Sequence, residues 1–144
     1  LEMKGEPAMK ALSVRQPYAT FIAIGEKTVE WRSWKTPHRG ALMICSSSSW
    51  AEGEEGEWEM WEIFKKDRDQ FPRGVTLCIV DLVDCRPFKR KDLDAALMEE
   101  NPGGYAWVLA NPVPIVPRPI KGKHYLFDVP APPEAGDGEA DEFC

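Results

Sequence analysis

The sequence predicts an α+β fold, a small β-barrel of about six strands with two or three helices packed around it. Three observations support this. Short β-branched and apolar runs recur along the chain, each bounded by Gly, Pro, Asn or Ser. Only two or three stretches carry helical signals. Strands and helices do not alternate around a glycine-rich phosphate loop, so a parallel doubly wound sheet is not expected.

The elements follow in order. Residues 10–15 alternate as a strand. Pro17 suits a first helical position, where its missing N–H costs nothing, and Tyr18–Ile24 forms a short helix closed by Gly25. Thr28–Trp34 is β-branched and aromatic, hence extended. Pro37 and Gly40 bracket a turn before the apolar strand Gly40–Cys45, which runs into the polar Ser46–Ser49. Trp58, Trp61 and Phe64 at a spacing of three predict an amphipathic helix over 57–68. Val75–Val83 is a long strand, Asp92–Glu99 a surface helix ended by Asn101-Pro102-Gly103-Gly104, and Tyr105–Leu109 a strand. The proline-rich Asn111–Pro119 is extended and confined to an edge. Tyr125–Val129 is the last strand. The organisation expected is an N-terminal extension (1–8), one domain (9–129) and a disordered acidic tail (130–144).

At 144 residues the chain can bury a core without staples. No apolar run approaches the ~20 residues of a membrane span, and no secretory signal is evident. Cys45, Cys78, Cys85 and Cys144 form no Cys-x-x-Cys pair, which favours free thiols in a cytoplasmic protein over a zinc site. No metal and no cofactor are expected, and the chain is expected to be a monomer.

The net charge of −6 argues at first against nucleic acid, but its distribution does not. Five acids (Glu134, Asp137, Glu139, Asp141, Glu142) lie in the last sixteen residues, so residues 1–128 carry only −6 + 5 = −1. Residues 10–40 hold six Lys and Arg against two Glu, a local +4. A local basic surface governs phosphate binding more than the sum does.

Chemistry concentrates in Arg15-Gln16-Pro17-Tyr18 and in Gly25 to Trp34. In an extended segment Glu30, Arg32 and Trp34 share a face, and Lys27 at the preceding turn can join them. Such a trio compensates its own charges, either as a structural ion pair bracing the turn or as the floor of a binding cleft. Tyr18, Trp31 and Trp34 among basic residues suit base stacking, or are half-buried strand aromatics. His38 and Arg39 offer two further phosphate donors.

The segment Gly25-x-Lys27-x-x-Glu30-x-Arg32 resembles the signature of the ASCH domain family. Leu12–Ala19 resembles that family's opening strand and helix. Arg32-Ser33-Trp34, Thr36–Gly40, Asp81–Cys85, Trp107-Val108-Leu109-x-Asn111-Pro112 and Pro119–Gly122 fit collinearly, so the likeness spans residues 10–128. It implies a PUA-like barrel with a cleft lined by Lys27, Glu30 and Arg32, and a nucleic-acid ligand, RNA favoured over DNA. It also implies a place in transcription coregulation or RNA metabolism. The expected contacts are Arg15, Tyr18, Lys27, Glu30, Arg32, Trp34, His38, Arg39 and Lys121. An RNA-directed hydrolase, ribonuclease or modified-nucleoside amidohydrolase, is the alternative, with Lys27 and Glu30 as catalytic candidates. The deacetylating members use a Lys-x-x-Thr pair, and here Glu30 stands in the threonine's place. A third reading makes the 57–68 helix a protein-docking surface.

Overall fold

In strand β1, Ala8–Gln16, alternate residues face opposite ways, so Leu12, Val14 and Gln16 are buried while Arg15 is exposed. This computed structural model describes residues 8–50, 62 and 70–136. Helix α1, Tyr18–Ala23, sinks Ala19, Phe21 and Ile22 into the core. Gly25 ends it at φ +87°, a left-handed conformation that a side chain would strain. The short strand β2, Val29–Arg32, follows, then β3, Gly40–Trp50, and β4, Thr76–Pro87. A 3-10 turn, Arg90–Asp92, leads into helix α2, Leu93–Ala96. Strands β5, Tyr105–Pro114, and β6, Phe127–Pro130, complete the sheet, and a 3-10 turn spans Pro133–Gly136.

The six strands form one mixed sheet in the order β2-β5-β4-β3-β1-β6, with β1 and β3 parallel and the other pairs antiparallel. The expected α+β fold and strand count are correct. The barrel is not closed, however: β2 and β6 remain the two ends of the sheet. Its main core joins Leu12, Val14, Ile22, Leu42, Ile44, Val80, Leu82 and Trp107, and each such side chain contributes about 1.5–3 kcal/mol on burial. Trp34 packs edge-on against Trp107 at 4.9 Å, and its carbonyl accepts the Trp107 indole N–H. A second cluster joins Ala11, Met43, Cys45, Ile115, Phe127 and Val129.

Several boundaries differ from the sequence reading. Strand β3 runs on through the serines, because Ser46 is buried and its N–H and hydroxyl both bond the Val75 carbonyl. The helix expected over Asp92–Glu99 stops at Ala96, where Leu97 turns left-handed at φ 59°. The helix expected over 57–68 lies outside the described residues, apart from Glu62. Cys45, Cys78 and Cys85 are free, and burial pushes the thiols of Cys45 and Cys78 up to about 12. Cys144 lies outside the described residues. Among the described residues no helix is long and apolar enough to cross a membrane.

Candidate functional site

Where the sheet fails to close, it leaves a seam. Strand β6 covers β1 only from Ala8 to Ala11, so residues 12–16 of β1 have no strand on that side. Strand β2, at the far end of the sheet order, pairs only with β5. Between them lies a cleft of about 1420 Å³. Arg32 on β2 reaches across the gap, donating from Nη2 to the Ser13 carbonyl at 2.7 Å. A side chain thus does what a main-chain ladder does elsewhere.

Lys27, Glu30 and Arg32 line this cleft together. Glu30 and Arg32 share a face of β2, and Arg32 Nε and Nη2 lie 3.0 and 2.9 Å from Glu30 Oε2. Lys27 Nζ lies 3.5 Å from Oε1 and donates to the Ala96 carbonyl at 2.6 Å. That carbonyl ends α2, where no further turn supplies a donor. The Lys27 ammonium also sits 5.0 Å from the Tyr18 ring centroid. Lys27 is 4% and Glu30 7% exposed, and charges so buried are tolerated only when paired and hydrogen-bonded. Burial holds the Lys27 amine below its usual value of 10.5, with Glu30 pulling the other way.

Of the other residues expected at the site, Arg15, Tyr18 and Lys121 also line the cleft. Trp31 lines it half-buried, its indole N–H tied to the Gly103 carbonyl at 2.8 Å. Trp34, His38 and Arg39 do not line it. Trp34 is turned to the core. His38 Nε2 lies 2.9 Å from the Ala41 carbonyl, and Arg39 is tied to the Thr36 carbonyl and to Asp84. The cleft also gathers residues that were not among the expected contacts: Ser13, Gly122, Lys123 and His124. A Lys-x-Lys-His run carries a visible basic signal, but nothing local says which wall it occupies. Ser47, Ser48 and Ser49 are at the cleft. Among the described residues there is no cluster of three His, Cys, Asp or Glu side chains able to hold a metal ion. The lining carries five Lys or Arg (Arg15, Lys27, Arg32, Lys121, Lys123) against three Glu (Glu30, Glu99, Glu100), an excess of 5 − 3 = +2.

Comparison with known families matches the ASCH domain model to residues 12–120, most of the described chain. The chain belongs to the ASCH domain family. This ASCH domain is similar to activating signal cointegrator 1 of Homo sapiens, 34% identical over 124 residues, which is 81% of this chain and 21% of that protein. The same protein of Mus musculus is 33% identical over the same shares. The chain thus spans about a fifth of the length of these relatives. Among solved structures, the ASCH protein of Zymomonas mobilis matches with a TM-score of 0.55 at 16% identity, over 92% of this chain and 93% of that one. A serine-to-alanine mutant of it matches equally, with a TM-score of 0.55 at 15% identity, over 92% and 94%. At such identities the likeness bears on the fold.

Proposed function

We propose that this ASCH domain is a nucleic-acid-binding module whose cleft takes RNA or another single strand. The observation that carries this reading is the cationic excess of the cleft on a chain whose total charge is −6. Arg15, Lys121 and Lys123 are exposed at the cleft, where they can meet phosphates without losing a side-chain partner among the described residues. Tyr18 and Trp31 offer aromatic surface beside them, and stacking next to cations holds single strands with little regard to sequence. Glu30 fixes Lys27 and Arg32 in place rather than meeting the ligand's phosphates itself. The similarity to activating signal cointegrator 1 supports a role in transcription coregulation or RNA metabolism.

The hydrolase alternative has less behind it. Both oxygens of Glu30 are already engaged by cations, and the Lys27 ammonium is held by a carbonyl, a carboxylate and a ring. A general base needs a free approach to the proton it removes.

The test is a titration of fluorescent single-stranded RNA, single-stranded DNA and duplex DNA at two salt concentrations, with strand integrity followed in the same samples. Arg15→Ala and Lys121→Ala are expected to weaken single-strand binding. Each should also reduce the salt slope by about 0.7 for a lost phosphate contact. These exposed residues are better probes than Lys27, whose removal strands the Ala96 carbonyl. Cleaved strands would move the assignment to a ribonuclease, and absence of binding at low salt would overturn the reading.

A further inference from the structure

Ser13 holds an unusual position in the cleft. Among the described residues, its Oγ is the one buried side-chain nitrogen or oxygen with no hydrogen-bond partner. A hydroxyl in that state destabilises the fold relative to a methyl group. Its surroundings are not those of a core serine. Ser13 shares a face of β1 with Arg15, opposite Leu12 and Val14, and both residues line the cleft. Its own carbonyl is held by the Arg32 guanidinium. Above it passes the segment Lys121-Gly122-Lys123, and a Cβ at residue 122 would overlap the Ser13 hydroxyl. Glycine therefore lets this segment lie directly on the serine. An orphaned hydroxyl thus lines the same cleft as four cationic residues. Arg32 is bonded to its own carbonyl, Arg15 lies two residues along its strand, and Lys121 and Lys123 flank the glycine above it.

We infer that Ser13 is the floor of a phosphate subsite. Its hydroxyl donates to a phosphate oxygen, Arg15 and Arg32 flank that phosphate, and the Lys121–Lys123 segment shifts off Ser13 to admit it and closes on it with its lysines. This deepens the nucleic-acid reading and rests on it, assigning the subsite to a backbone phosphate of the bound strand. Among the described residues no other buried side-chain polar atom is left without a hydrogen bond. An anion supplies both the missing hydrogen bond and a counter-charge for Arg15, Lys121 and Lys123, whereas Arg32 already has Glu30.

The test is Ser13→Ala beside Lys121→Ala and wild type, titrated with a single-stranded oligonucleotide and, separately, with inorganic phosphate. Losing a hydrogen bond to a charged group should weaken oligonucleotide binding roughly tenfold. Because serine is neutral, the salt slope of Ser13→Ala should equal that of wild type, while Lys121→Ala lowers it. The melting temperature of Ser13→Ala should be unchanged or higher, since an unsatisfied group has been removed. Unchanged affinity in Ser13→Ala together with weakened binding in Lys121→Ala would overturn the subsite and leave the nucleic-acid reading standing. A loss confined to inorganic phosphate would also overturn it, by assigning the serine to small phosphates. If wild type binds no oligonucleotide, the two fall together.

Discussion

The Lys27 ammonium exchanges water for the Ala96 carbonyl, the Glu30 carboxylate and the Tyr18 ring. The exchange is incomplete, because burial still lowers the pKa of the amine in the fold. A lowered pKa means that the folded state binds fewer protons than the unfolded one between that lowered value and 10.5. Stability therefore rises with pH through this window. Urea unfolding of wild type and Lys27→Met over this alkaline range should show their difference moving in favour of wild type as pH rises. A difference that stays flat would contradict a perturbed Lys27. At this scale the sequence was informative where residues lie within one short turn: Lys27, Glu30 and Arg32 meet as their spacing suggests. Trp34 does not join them at the cleft because β2 ends at Arg32, so strand alternation does not carry two residues further. His38 and Arg39 stand away from this cleft, their side chains engaged by nearby carbonyls and by Asp84.

The entry to α2 rests on an ion pair that no spacing rule announces. Arg86, on β4, grips Asp92 with both terminal nitrogens at 2.9 Å, and Asp92 also accepts the Lys89 N–H. Asp92 is buried and Arg86 partly so, and the hydrogen bonds from Arg86 hold the aspartate below its usual value of 3.8. Since α2 brings the Ala96 carbonyl to Lys27, this pair indirectly supports the cleft. Asp92→Asn should cost about 2 kcal/mol at neutral pH, measured by denaturant unfolding, because it leaves Arg86 without its counter-charge. The sign of the pH dependence follows from the lowered pKa. The wild-type advantage is full above 3.8 and disappears as pH falls through the folded value. Sequence signals placed the start of this helix near Asp92 but overshot its end. The stop is the left-handed Leu97, with no glycine or proline at that point to announce it.

Charge is the property that belongs to the whole molecule. The chain carries −6, yet its cleft is basic, and four acids (Asp137, Glu139, Asp141, Glu142) fall within residues 137–144. Nearer the sheet, Glu134 is fixed by Arg118 at 3.2 Å and by the Val116 N–H, beside the Pro119–Lys121 wall. Deleting residues 137–144 changes the net charge from −6 to −6 + 4 = −2. Oligonucleotide affinity should then rise at low salt. The gain should fade at a few tenths molar salt, where screening acts over only several ångströms. A gain that persists at high salt, or no gain at all, would refute a purely electrostatic effect of these acids.

Fold class, the number of strands, the family and the Lys27–Glu30–Arg32 cluster were all legible in the sequence. Alternation, turn residues and short motifs are local, and these features rest on residues close together in the chain. Tertiary structure decided that the barrel stays open, since that depends on how far β6 runs along β1 and where β2 stops. It also decided that the Lys121–His124 segment passes over Ser13, more than a hundred residues earlier, because the sheet order places the approach to β6 against β1. Registers between distant strands follow from filling one shared core, and no window of sequence contains that constraint.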